Sequence, residues 1–229
     1  MINISNRFVI TKLPQYSMIL FIFLNIIAMF LYTGGNINDP NQLGYSFVKN
    51  FFSDLGRRYS HSGNSNLISC VLFNFSLSIV GITFFVLFYR IRRYFLKNKL
   101  LISLATFFGM YSGISYVGVA FTPADLLLEE HIFFAHWAFR SLFVSSIFYS
   151  LLIFKTEGFE NKYAYGFVLF GLMVFSYVIY SEVILEDPRI NPNVLVNHVV
   201  AQKMIAFWIL FSVYIYSLGL GKYLFNRNS

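Results

Sequence analysis

Three residues that could do chemistry follow one another at a helical spacing. Glu129, His136 and Arg140 are separated by seven and then four positions. On a helix of 3.6 residues per turn, His136 and Arg140 lie within about 20° of Glu129 around the axis. The stripe combines an acid, a guanidinium and an imidazole that can exchange a proton near neutral pH. This pattern predicts a site for an anionic head group, and a hydrated helix end with a hydrogen-bonded histidine is the open alternative.

Two basic residues, Arg140 and Lys203, lie within or close to apolar segments. A charge at membrane depth costs roughly 2.5 to 3.5 kcal/mol unless it is paired or hydrated. Glu182 lies near the same predicted end of the next, antiparallel segment, so we expect it to pair with Arg140. The pair would either fix the packing of two helices or hold a ligand. Asn74 would also need a partner in its apolar segment, and it is a further candidate for a ligand contact in an internal polar cavity.

The histidines and two acidic residues also offer a metal site. The candidate ligands are His131, His136, His198, Asp54 and Asp125. Imidazoles and a carboxylate suit zinc with one open coordination position. However, His131 and His136 are five positions apart and point about 140° away from each other on a helix, unlike the four-residue spacing that places two ligands on one face. We therefore assign no cofactor and keep zinc as an alternative.

Two nearby motifs have simpler explanations. Residues 122–125 place a threonine, a proline and an aspartate in the order typical of a helix start, with Thr122 as the cap. On the last apolar segment, His198 and Gln202 are one turn apart and share a face, whereas Lys203 points elsewhere. We expect His198 and Gln202 to pair with each other. Asn191 and Pro192, just before them, are typical of a turn.

Long apolar segments must position all of these residues. The chain is 57% hydrophobic, 21% aromatic and only 12% charged, well outside the range of a soluble globular domain. Continuous apolar runs of about 20 residues cross a bilayer as helices, because a helix satisfies its own backbone hydrogen bonds in lipid. We predict an all-α integral membrane bundle in a single domain, residues 1–229. Its six spans cover about residues 17–33, 67–89, 101–121, 132–154, 163–185 and 200–221.

Lysine and arginine in the short connections predict the orientation of the bundle. The connection between the second and third spans is strongly basic, and the positive-inside rule places it in the cytoplasm. Its basic residues are Arg90, Arg92, Arg93, Lys97 and Lys99. With six spans, both termini also lie in the cytoplasm. The four histidines and most of the acidic residues then lie at the outer side.

Two other interpretations of the basic residues are less favoured. A net charge of +7 could indicate nucleic acid, but the basic residues lie mainly in connections between spans, where they orient a membrane protein. A basic start followed by an apolar stretch also resembles a signal peptide over residues 1–33. The apolar run is long for such a peptide, so we favour a retained first span.

The first outer loop, about residues 34–66, is the only sizeable predicted segment outside the spans. Aromatic residues such as Tyr45 and Phe52 occur there together with Lys49 and Asp54. This composition suits a short helix in the headgroup region or a segment that folds over the mouth of the bundle. An ordered surface loop is the alternative.

Several short motifs together match a known pattern. They are residues 53–56, Phe73-Asn74, residues 117–119, residues 123–125 and either His131 or His136. Over most of its length the chain resembles a prokaryotic multi-pass family that is catalogued only as a domain of unknown function, number nine hundred and ninety-eight. Its layout is similar to the DRAM and Sfk type of membrane proteins. The resemblance implies six spans, an outer polar cluster and a prokaryotic cytoplasmic membrane, with no established chemistry to transfer.

A looser similarity connects this layout to ceramidase-like membrane hydrolases, which hold zinc with residues from several spans. Ser53, Asp54, His136 and His198 would imitate that set, although the paired-histidine helix of those enzymes is not found. This similarity implies a metal-dependent hydrolase or acyltransferase that acts on lipid amide or ester bonds. A metal-bound water would then be the nucleophile.

The leading hypothesis is instead a binding function at the outer end. A polar pocket of mixed charge would bind a lipid head group or another amphipathic anion, with Arg140, Lys203 and His136 facing it. Glu182 and Asp54 would balance the charge. A third hypothesis is a structural or partner-binding membrane subunit, in which the charged residues only fix the packing. The oligomeric state stays open.

Overall fold

The computed structural model describes residues 4–95, 97–183 and 186–225, without the side chains of residues 4, 5, 182 and 183. The described part contains helices and turns and no β-strand, so the all-α prediction is confirmed. A π-helical segment, Phe8–Lys12, joins the first two helices. The helices are α1 (Ile4–Arg7), α2 (Leu13–Leu31), α3 (Leu67–Ile91), α4 (Lys99–Phe121), α5 (Leu128–Phe154), α6 (Lys162–Val183) and α7 (Pro192–Phe225).

Six of these helical segments are long and apolar enough to cross a membrane, as the sequence predicts. The first runs from Phe8 to Leu31, and α3 to α7 supply the other five. Since lipid offers the backbone no hydrogen-bond partners, each segment closes its own hydrogen bonds as a helix. The chain is therefore a polytopic membrane protein.

Several helix boundaries differ from the sequence prediction, and the first span begins at Phe8, nine residues before the predicted start at 17. The last span begins at Pro192, eight residues before the predicted start at 200. Proline suits this position because the first turn of a helix needs no backbone N–H donors, so Asn191 and Pro192 start a helix and do not form a turn. Thr122 does not cap a helix start either. It follows the end of α4, and its hydroxyl donates to the Gly118 carbonyl at 2.9 Å.

The spans form a ring in which each helix packs against its neighbour in the chain, and α2 also contacts α7. Because consecutive spans run in opposite directions, the connections separate into two groups. One end of the bundle carries the start of α1, the end of α7 and the connections 92–98 and 155–161; we call it the basic end. The other end carries residues 32–66, residues 122–127 and the connection between α6 and α7; we call it the loop end.

Stacked aromatic rings fill the interior. Tyr149 and Tyr216 are fully buried, with ring centroids 5.7 Å apart. Phe88 stacks on Tyr149 at 5.2 Å, and Phe159 stacks on Tyr216 at 6.1 Å. Association of helices in lipid depends on close packing, because lipid tails are as apolar as the helix surfaces. These rings supply that packing across α3, α5 and α7.

Glycines let α3 and α4 approach each other closely. A Cβ atom built on Gly113 would lie 2.6 Å from the Gly81 carbonyl oxygen, and one on Gly81 would lie 2.6 Å from the Gly113 carbonyl oxygen. A Cβ atom on Gly109 would lie 2.5 Å from ring atoms of Phe88. Small residues on α4 therefore form a surface that faces α3.

We expect Gly113→Ala to destabilise the bundle by about 1–3 kcal/mol, because the added methyl group has no room against the α3 backbone. Gly171→Ala on α6 is the matched control, since its Cβ atom would meet Phe143 at an ordinary 3.4 Å. Alanine favours a helix over glycine, so this control should not lose stability. Thermal unfolding in detergent measures both variants. Equal melting temperatures for the two would contradict the close crossing.

Candidate functional site

The loop 32–66 folds back onto the bundle, and the amide of Asn50 fixes it there. Asn50 is fully buried. Its Nδ2 donates to the Gly35 carbonyl at 2.8 Å and to Asp54 Oδ2 at 3.1 Å. Its Oδ1 accepts from Gln42 Nε2 at 2.8 Å and from the Ser46 backbone N–H at 3.0 Å. These four bonds use the full capacity of the amide, so the loop is an ordered cap.

Lys203, a predicted ligand contact, holds this cap from the side of the helices. Its side chain is buried in α7, and Nζ donates to the backbone carbonyl of Asn50. The ammonium also lies 5.4, 5.0 and 5.4 Å from the ring centroids of Tyr45, Phe47 and Phe52. Aromatic faces attract a cation in this range. The loop thus encloses Lys203, which corrects the prediction that Lys203 faces a head group.

Asp54 lies in the cap on a short 3₁₀ helix, Phe52–Gly56, and it is buried. Its Oδ2 accepts from the Phe51 backbone N–H at 2.9 Å and from Asn50, while Oδ1 lies 3.1 Å from His61 Nε2. The His61 side chain keeps 14% of its surface exposed. A carboxylate that binds one ring nitrogen orients the imidazole and leaves the other nitrogen for proton transfer. The pair has the arrangement of an acid–base centre.

Tyr32 shows that further charges act on this centre. Its hydroxyl donates to the Gly35 carbonyl at 3.3 Å and accepts from the His61 backbone N–H at 3.4 Å. Burial raises the pKa of Tyr32, and the charge of Asp54 raises it further. Arg57 lowers the same pKa, and Asp125 raises it. The carboxylates and the guanidinium therefore share one electrostatic environment.

Asp125 joins the cap to the connection between α4 and α5. Its Oδ1 accepts from the Arg58 backbone N–H at 2.9 Å, and its Oδ2 accepts from the Tyr59 backbone N–H at 2.8 Å. The Arg58 guanidinium donates to Ser65 Oγ at 2.8 Å and lies over the Tyr59 ring. Both oxygens of Asp125 are thus used to hold the loop in place.

Asn74 joins the cap to α3. Its Nδ2 donates to the Gly56 carbonyl at 3.2 Å and lies 3.3 Å from Cys70 Sγ. Gly56 has no space for a side chain, since a Cβ atom would lie 2.7 Å from Asn74 Oδ1. The partner expected for this amide is therefore the backbone of the cap.

The predicted metal ligands do not meet. His131 Nδ1 lies 2.7 Å from the Thr122 carbonyl, and His198 Nδ1 lies 2.8 Å from the Tyr177 hydroxyl. Asp54 and Asp125 have the partners given above, and His136 is exposed on α5. Among the side chains that the structure describes, which do not include Glu182, no three histidines, cysteines or acidic residues converge on a point that could hold a metal ion.

Two expected pairs have different outcomes. Gln202 Oε1 accepts from the Phe52 backbone N–H at 2.9 Å, so Gln202 holds the cap and His198 bonds to Tyr177. This corrects the expected pairing of His198 with Gln202. The pairing of Arg140 with Glu182 lies outside the described residues, because the Glu182 side chain is not described.

His61 and Asn50 are the residues that sequence reasoning missed. His61 lies in the same loop as Asp54, seven positions later, and this proximity is a signal that could have found the pair. Asn50 carries no comparable signal, because a polar residue in an outer loop is usually hydrated. Its importance comes from burial, which only the fold reveals.

The fold and the cap together define a polytopic helical membrane protein whose loop end is closed by a hydrogen-bonded polar segment. Comparisons of the chain with protein-family models, with curated proteins and with solved structures found no match. A function for the chain must therefore come from the geometry of its own residues.

We expect Asn50→Ala to destabilise the cap by about 3 kcal/mol, since it leaves buried donors and acceptors without partners. Hydrogen–deuterium exchange of residues 35–56 should then become faster. Asn41→Ala is the control in the same loop, because Asn41 is exposed and only its backbone N–H bonds within the cap. Its exchange should stay close to that of the wild type. Unchanged exchange in Asn50→Ala would show that the amide does not hold the cap.

Proposed function

We propose that this membrane protein binds the polar head group of an anionic lipid, or of another amphipathic anion, at its loop end. The observation that carries the proposal is the hydrogen bond of 3.1 Å between buried Asp54 and partly exposed His61. Asp54 holds the imidazole at the rim of the cap. The second ring nitrogen of a protonated His61 can donate to a phosphate oxygen.

Arg57 and Arg58 add positive charge beside His61. Arg57 Nε donates to the Tyr59 carbonyl at 3.2 Å, and the Arg58 guanidinium donates to Ser65. Within the described chain, neither guanidinium forms an ion pair with a carboxylate. Each retains donors for a phosphate, which guanidinium groups bind with two parallel hydrogen bonds. The rim therefore suits an anion better than a cation.

A hydrolase or acyltransferase acting on lipid ester or amide bonds is the second candidate. The orientation of His61 by Asp54 favours it, because a positioned imidazole can take a proton from a water that attacks a carbonyl. In this mechanism the His61 ring nitrogen gains the water proton, the hydroxide forms the new bond to the carbonyl carbon, and the proton passes to the leaving oxygen or nitrogen. Asp54 would keep the ring in place throughout.

We also propose that the basic end faces the cytoplasm of a prokaryotic cell, so that the loop end is extracytoplasmic. The basic connection between α3 and α4 supports this orientation through the positive-inside rule. The proposal also keeps the resemblance of the chain's motifs and six-span layout to the family of unknown function named above and to the DRAM and Sfk type of proteins.

Arg57→Gln and His61→Gln should each weaken head-group binding at the loop end by about fivefold or more, since each removes a charged or orienting donor. Phosphatidylglycerol added to the protein in detergent should slow hydrogen exchange of residues 57–62, and both variants should lose this protection. Lys49→Gln removes an exposed positive charge from the same loop. This control variant should keep the lipid-induced protection of residues 57–62. Protection that persists in Arg57→Gln would overturn the binding proposal.

The hydrolase candidate has a separate readout. Mass spectrometry should detect fatty acid released from phospholipid by the wild type and a loss of at least about a hundredfold in His61→Gln. Asp54→Asn, with an intact fold checked by thermal unfolding, should lose activity as well. Lipid protection without any release in the wild type would leave binding as the function.

Cysteine labelling tests the orientation. Native Cys70 is buried, so it should react slowly with a maleimide that does not cross membranes. Asn41→Cys and Glu157→Cys place an exposed thiol at the loop end and at the basic end. In intact cells or spheroplasts, Asn41→Cys should be labelled, and Glu157→Cys should be labelled only after permeabilisation. The reverse result would invert the orientation.

A further inference from the structure

An open groove of about 550 Å³ lies at the basic end, against α4 and the short 3₁₀ turn Arg92–Tyr94. Its volume is in the range of ligand sites, which span roughly 300–1,000 Å³. It lies at the opposite end of the bundle from the cap. Basic residues of the connection between α3 and α4, on which the proposed orientation rests, thus also line a cavity.

Three cations form the mouth of this groove: Arg92, Arg93 and Lys99. All three are exposed, and the described residues provide no carboxylate within ion-pair distance of any of them. Glu160, in the connection between α5 and α6 at the same end, already binds Lys222 at 2.5 Å and Lys162 at 2.7 Å. Hydrogen bonds from these two lysines hold the pKa of Glu160 at about 2, so its charge is committed to them. The mouth therefore concentrates positive charge without a counterion from the described chain.

The wall of the groove changes from polar to apolar with depth. Lys99, Ser103, Thr106 and Met110 all line it. Their spacing of four, three and four residues places them on one face of α4, over a length of about 16 Å. Phe107 lines the same groove beside Met110. A ligand that fits this wall has a charged group at one end and an apolar chain at the other.

We propose that this groove binds one anionic phospholipid from the leaflet at the basic end. The phosphate lies against Arg92, Arg93 and Lys99, and an acyl chain runs along the apolar part of the wall. Clusters of lysine and arginine at the ends of spans attract anionic lipids. A zwitterionic lipid would leave the positive charge of the mouth uncompensated. This site is independent of the proposed function at the loop end.

Native mass spectrometry of the protein released from detergent tests the site, with phosphatidylglycerol and phosphatidylcholine as competing probes. The wild type should retain phosphatidylglycerol in preference. The double variant Arg92→Gln and Arg93→Gln should lower this retention at the groove by about tenfold or more. Lys97→Gln removes an exposed charge from the same connection without touching the groove, and should retain the lipid.

A second variant blocks the groove without changing its charge. Ser103→Phe places a ring in the path of the acyl chain at an exposed position, so the bundle should still fold while the lipid is lost. In a background that carries Arg57→Gln, which removes binding at the loop end, the groove variants should still lower the retention of phosphatidylglycerol, and this separates the groove from the loop end. Equal retention of the two lipids, equal loss in Lys97→Gln, or full retention in both groove variants would each overturn the proposal.

Discussion

The loop end depends on a contact between one backbone carbonyl and one buried ammonium. Asn50 presents its carbonyl to Lys203 of α7, while its side chain ties together three parts of the loop. Burying a lysine is costly unless its charge is solvated by other groups. Here a carbonyl dipole and three aromatic faces take the place of water. Opening the loop would remove these groups from a lysine that lies eleven residues after the start of the last span.

Several helices hold the cap, and this explains how a loop can position an imidazole. Asn74 binds it from α3, Asp125 from the connection between α4 and α5, and Gln202 and Lys203 from α7. Each bond is short in range, but together they join elements on different sides of the ring of helices. A site built on such a support keeps its geometry better than one on an untethered loop.

The six spans were predictable because lipid imposes one rule on every residue of a span, so hydropathy alone reveals them. The cap was not predictable from the sequence, because its hydrogen bonds join residues that lie far apart in the chain: Phe52 with Gln202, and Arg58 with Asp125. The cost of a charge at membrane depth correctly indicated that Lys203 needs a partner, but the sequence suggested an anionic head group where the fold provides a carbonyl. His131 and His198 looked like ligands because sequence cannot show that each already bonds to a neighbour.

The position of the cap in the chain has a consequence for biogenesis. Residues 32–66 leave the ribosome early, yet their partners Asp125 and Lys203 are made much later. Chains are synthesised at about 5–20 residues per second, so the segment waits several seconds for the last span before Asn50 can meet Lys203. During this interval its aromatic residues Tyr45, Phe47 and Phe52 lack their contacts with Lys203. The cap can therefore be completed only after α7 has been made and inserted. A chain that stops before α7 cannot form it.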